Sequence, residues 1–214
     1  MSETVSTRAR TAPRFAGLAA ASCVVIASAI GLAGAAAATQ GGIHGDPAAA
    51  APFWRYQEQS QDCAEMAVAD VVGQITGDEP TESEVDATAG AILSVSHPGP
   101  IYRPDTPTDN VDLPVLLRHY DIRASSTHTN LDALTQALDE GRKVIAGVND
   151  KALRSQPGNN SKENHFVVVT GIDTTAGVVH VNDSSSHAGR DAQVSLATFE
   201  NAWGTSRNFT VLAG

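Results

Sequence analysis

The sequence predicts an α+β domain, helices first and an antiparallel sheet second, on the strength of two patterns and an order. Between Asp62 and Glu140 apolar residues recur at helical spacing behind capping signals. From Lys143 onward they fall instead into short valine-rich runs bounded by turn residues, which read as strands. No internal repeat or coiled-coil heptad interrupts this order, so one domain of ordinary length is expected.

Ahead of that domain stands a different kind of segment. Arg8, Arg10 and Arg14 precede an uncharged apolar run from Phe15 to Ala38 that ends in small residues, the pattern of an export signal. The run exceeds the about 7–15 residues of an ordinary signal core and is long enough to span a bilayer, so residues 1–38 read as a signal peptide or an uncleaved anchor. Either places the domain outside the cytoplasm, secreted or tethered to the membrane through residues 15–38. Residues 39–52 have linker composition and no apolar periodicity, and read as a flexible tether. The domain proper is then 53–214.

The whole chain carries 14 basic and 24 acidic residues, net charge −10; without residues 1–38 it carries 11 and 23, net −12. A nucleic-acid partner is excluded on that balance. One of the two cysteines, Cys23, lies within the apolar segment as filler. Cys63 is therefore alone in the exported part, with no disulfide partner, and is either inert core or a nucleophile.

The elements follow in order. Met66, Ala67, Val71 and Ile75 are spaced for a helix over about 62–76, stopped by Gly77, with Cys63 in its first turn. Thr81-Glu-Ser-Glu84 is a capping box opening a second helix toward Leu93. Residues 94–110 hold four prolines and read as a long irregular loop bordering a cleft. Helices are expected over 111–120 and over 130–140, the second between Asn130 as N-cap and Gly141. Strands are expected over 143–148, 165–171, 178–182 and 209–212, with a short helix over 195–203.

A cysteine at a helix start meets unpaired backbone N–H groups and the positive end of the helix dipole, which favour a thiolate. It would also need a base. The strands either side of Asp173–Gly177 form a hairpin in which facing residue numbers sum to about 348 or 349. His165 then faces Asp183 or Ser184, and a carboxylate there would orient the imidazole. Taken alone, that pair is a cross-strand ion pair worth a few tenths to about 1 kcal/mol. The same arithmetic sets His180 opposite Val168 or Val169 as a sheet residue. His44, His97, His119, His128 and His187 fall in linker, loops or helix ends, where surface placement is expected.

Gln57 six residues before Cys63, a cysteine opening a helix, Asn164-His165-Phe-Val-Val-Val-Thr-Gly-Ile-Asp, and Val-Val-His-Val-Asn-Asp183 together resemble the papain-like cysteine peptidases. They are most similar to the bacteriocin-processing branch, family thirty-nine, and its stand-alone relatives. The resemblance spans roughly Trp54 to Leu212, including Asp112-Leu113. It implies a papain-like fold, Cys63 as nucleophile, His165 as general base, Asp183 as orienting acid and the Gln57 amide as oxyanion donor, with Gln59 and Gln61 as rivals for the last role. Two departures stand out: Ala64 where the family commonly has glycine, and Ser184 where it commonly has proline. Leader-processing members are usually fused to transporters, which this sequence does not show, so leader processing is not implied.

The expected activity is hydrolysis of peptide bonds through a thioester, with a peptide or protein substrate. The alternatives are an amidase or acyltransferase using the same groups, or a catalytically silent envelope-binding domain. No Cys/His ligand spacing, dinucleotide fingerprint or Walker loop occurs, so no metal or cofactor is expected.

Overall fold

A computed structural model describes residues 42–214. The signal or anchor segment 1–38 lies outside the described residues, and among the described residues no helix is long and apolar enough to cross a membrane. The fold class is α+β, as expected. The strands are β1 (Ile43–Gly45), β2 (Ala124–His128), β3 (Lys143–Val148), β4 (His165–Asp173), β5 (Val178–Asn182), β6 (Ala192–Ser195) and β7 (Phe209–Ala213). The helices are α1 (Pro47–Ala50), α2 (Cys63–Thr76), α3 (Glu82–Ala91), α4 (Leu113–His119), α5 (Leu131–Asp139), α6 (Asp150–Leu153) and α7 (Leu196–Gly204).

The strands join in the order β2-β7-β3-β4-β5-β6, every pair antiparallel, with β1 pairing the last three residues of β4. Period-two alternation divides the core between the two sheet faces. On one side Ile145, Phe166, Val168 and Val211 pack against Val68, Val71, Leu116 and Leu117 of α2 and α4. On the other, Val144, Ala146, Val167 and Val169 meet Leu134, Phe199 and Trp203 of α5 and α7. The helices thus sandwich the sheet.

Helix α2, which Cys63 opens, is buried from Cys63 to Gly73. Val68 and Val71 are fully buried, each worth roughly 1.5–3 kcal/mol. Gly77 closes α2 in the left-handed conformation, φ 81°, its N–H returning to the Gly73 carbonyl. Asp70 on α2 accepts from Asn182 Nδ2 at 2.8 Å, which fixes the helix against the end of β5.

Two expectations need correction. Residues 43–52 are not a flexible tether. β1 pairs with β4, the Asp46 carboxylate caps α1 by accepting from Ala49 N at 3.0 Å, and Pro47 and Ala50 are buried. The composition misled because an alanine run behind Asp-Pro is also a short capped helix. The β4–β5 register is also different. Asp173 itself pairs with Val178, and an irregularity between Val169 and Gly171 shifts the count, so facing numbers sum to 351 near the turn and 350 beyond it. His180 therefore faces Gly171, not Val168 or Val169.

Candidate active site

The site is assembled where the start of α2 meets the start of β4. The helix begins where apolar spacing begins, with Met66 N–H donating to the Asp62 carbonyl at 2.9 Å. Asp62 occupies the N-cap position without capping through its side chain. Its carboxyl is turned instead toward Asp86 and Glu82, and is pushed up to about 7 by burial and then by those two acids. Cys63 is the free cysteine of the described residues and is 7 % exposed.

His165 opens β4 and pairs with Val148 of β3. The β4–β5 ladder stops at Val168–Asn182, so Asp183 reaches the histidine from the loop beyond β5 rather than from a facing ladder position. That loop doubles back: Asp183 N–H donates to the Gly189 carbonyl at 2.9 Å, and Gly189 N–H to the Ser186 carbonyl at 2.8 Å. His165 Nε2 lies 2.8 Å from Asp183 Oδ1 and 3.1 Å from Ser185 Oγ. With Nε2 so engaged, Nδ1 is the ring nitrogen left for the thiol. Burial pushes the His165 imidazole's pKa down, but the hydrogen bonds and charges of Asp183 and Cys63 push it up further, and the net direction is upward.

Asp183 is 4 % exposed and fully partnered. Oδ1 accepts from His165, from Ser185 N at 3.0 Å and from Ser185 Oγ at 2.8 Å, and Oδ2 accepts from Arg154 Nη2 at 2.8 Å. Burial disfavours the carboxylate, yet the His165 and Arg154 interactions outweigh it and hold the group below the usual carboxylate range. Arg154 follows α6 and is also hydrogen-bonded to Ser185 Oγ. The sequence reading missed it. An arginine one turn after Asn149, which caps α6, carries no signal of a role until the chain brings it beside Asp183.

Gln57 is buried against the same loop. Its N–H donates to the Ser184 carbonyl at 2.9 Å, its Oε1 accepts from Ser184 Oγ at 2.9 Å, and its Nε2 donates to the Gln59 carbonyl at 2.7 Å. Ser184, the departure from the family's proline, thus fixes the amide's orientation. One N–H of Nε2 is committed and the other is available. Trp54 Nε1 donates to the Asp183 carbonyl at 2.8 Å, tying the segment before Gln57 to the same loop.

A cleft of about 540 Å³ joins these groups; Gln57, Gln61, Cys63 and His165 line it, together with Thr108 and Asn110 of the proline-rich stretch. Gln59 does not line it, and Gln61 does. His180 lies outside it, its Nδ1 2.7 Å from Asp191 Oδ1. His187 stacks on Tyr56 with ring centroids 3.8 Å apart.

Residues 46–211 match a family model described as the Peptidase_C39 like family. The chain is 40 % identical over 208 residues to uncharacterized proteins of Mycobacterium tuberculosis and Mycobacterium bovis, an alignment covering 86 % of this chain and 89 % of each relative. Among solved structures it is similar in fold to a C39-like peptidase of Bacillus anthracis, at 18 % identity and TM-score 0.59, covering 80 % of this chain and 97 % of that one. The peptidase domain of Streptococcus ComA matches at 13 % identity and TM-score 0.56, covering 76 % and 97 %.

Proposed function

The chain belongs to the Peptidase_C39 like family, and from that premise we propose that it is a cysteine peptidase hydrolysing peptide bonds through a thioester on Cys63. The observation that carries the reading is that Cys63 and His165 line one cleft, with the buried imidazole's Nε2 2.8 Å from the Asp183 carboxylate. A structural cysteine needs no such partner.

In this reading the Cys63 proton resides on His165 Nδ1 and the thiolate attacks the scissile carbonyl carbon. The tetrahedral oxyanion accepts from the Cys63 N–H at the start of α2 and from the free N–H of Gln57 Nε2. As the C–N bond breaks, His165 returns its proton to the leaving amine. It then takes a proton from water, whose oxygen attacks the thioester, releasing the acid and restoring the thiol. Asp183 keeps Nε2 protonated throughout and stabilises the imidazolium. Residues 1–38 export the chain in the same reading, so the substrate is a peptide or protein met outside the cytoplasm.

The test is product analysis. The chain and its Cys63→Ala variant are incubated with a peptide library and cell-envelope extracts, and products are read by mass spectrometry. New peptide termini made only by the unmodified chain support a peptidase. Deamidated or acyl-transferred products without cleavage would assign the same groups to an amidase or acyltransferase, and no Cys63-dependent product would leave a binding domain.

A further inference from the structure

We propose that His97, Asp109 and Asp112 form a binding site for a divalent transition-metal ion, zinc in type, at the rim of the cleft. One ligating atom of each residue lies within 4.8 Å of the others. The pieces come from the proline-rich stretch and its flank: His97 in its first third, Asp109 before the single turn Asn110–Asp112, and Asp112 at the N-cap position of α4.

Three features separate this cluster from a chance meeting of polar side chains. His97 Nδ1 lies 3.1 Å from the Pro98 carbonyl, which can only accept, so Nδ1 carries a proton and Nε2, which faces Asp109, is the nitrogen left for an ion. Metal-bound histidines are held in this way, the second nitrogen donating to a carbonyl or carboxylate. His97 Nε2 lies 3.9 Å from Asp109 Oδ2, too long for a direct hydrogen bond. Two ligands each about 2.1 Å from one ion are about 3.4 Å apart at the tetrahedral angle and at most about 4.2 Å apart, so the separation admits an ion between them.

The third feature is Asp112, fully buried. It accepts from Ser94 Oγ at 2.7 Å and from Val95 N at 2.8 Å, and Ser94 Oγ in turn accepts from His97 N at 3.1 Å. The buried carboxylate therefore holds the turn that presents His97. Among the described residues no lysine or arginine pairs with Asp109 or Asp112; Arg55 pairs with Glu79, and Arg154 with Asp150 and Asp183. A buried carboxylate without a basic partner is costly, and a bound cation removes that cost.

One imidazole and two carboxylates suit zinc, or manganese or iron in the same class, better than calcium, which takes six to eight oxygens. Water completes the coordination. Asp109 also lines the cleft that contains Cys63, so the ion would brace that wall. No spacing motif announces the site, because the ligands are 12 and 3 residues apart in an irregular segment with a single histidine.

The assignment does not depend on the peptidase reading, and its test removes the Cys63 thiol, which lines the neighbouring cleft and could itself bind zinc. The full chain carrying Cys63→Ala is titrated with zinc by calorimetry and, after gel filtration, assayed for bound metal. His97→Ala and Asp109→Asn are added singly; both side chains reach solvent, and circular dichroism checks their folding. One zinc per chain is expected, at least tenfold weaker in either double variant, with a zinc-induced rise in Tm that His97→Ala abolishes. Affinity unchanged by both substitutions, no zinc retained, or displacement of zinc by millimolar calcium would each overturn it.

Discussion

Arg154 grips the oxygen of Asp183 that His165 leaves free: Nη2 to Oδ2 is 2.8 Å, and His165 Nε2 to Oδ1 is 2.8 Å. The arginine therefore helps to keep ionised the carboxylate that orients the imidazole. Its own contact with the thiol is through two other groups, so it is a positioning residue. Arg154→Ala should lower kcat about tenfold while KM changes little, and Arg154→Lys should recover part of the loss. A change confined to KM would contradict this role.

Asp183→Asn should keep the fold and reduce kcat on the order of a hundredfold or more, because an amide can hold the ring but cannot offset its charge. His180→Ala is the contrast. His180 bonds Asp191 outside the cleft, and its loss should leave kcat within about twofold. Equal effects from the two substitutions, measured on any peptide the chain cleaves, would return Asp183 to an ordinary ion pair.

The fold and much of the cleft were legible in the sequence where local chemistry and burial agreed. Cys63 opens α2 as expected, Thr81 and Glu84 make both bonds of the capping box, and Asn130 caps α5 by accepting from Ala133 N at 3.0 Å. What escaped was polar and at the edge. β2 reads Ala-Ser-Ser-Thr-His and is mostly exposed, and β6 is four residues long, so neither shows alternation. The hairpin arithmetic brought His165 to Asp183 but with the wrong register, which misplaced His180, because side chains beyond the ladder reach one another through a folded-back loop that residue counting does not contain.

That loop depends on Gly189. A Cβ there would lie 1.8 Å from the Asp183 carbonyl oxygen, which is backbone and cannot move aside cheaply. Gly189→Ala should cost on the order of 1–3 kcal/mol and displace Asp183 from His165. Thermal unfolding and kcat should fall together. A variant of unchanged Tm and full activity would mean that the loop does not set the position of Asp183.

The acids under the start of α2 predict a pH-dependent stability. Burial, then Asp86 and Glu82, raise the Asp62 carboxyl to about 7, against about 3.9 in an unfolded chain. Between those values the folded chain holds a proton that the unfolded chain has released, so stability falls as pH rises through the window. Glu65, raised chiefly by burial to about 7, and Asp86, raised to about 6, act in the same direction. Asp62→Asn should therefore raise Tm at pH 7.5 and have little effect at pH 3.5. A gain of equal size at both values would show that charge is not its cause.

The proposed peptidase chemistry needs a reactive sulfur on Cys63 beside His165, and the rate of alkylation by iodoacetamide at pH 6 reads that reactivity directly. The folded chain should react at least tenfold faster than an unstructured peptide containing the same cysteine, and His165→Ala should bring the rate down toward that of the peptide. Equal rates for the folded chain and the peptide, or a rate that His165→Ala leaves unchanged, would contradict it.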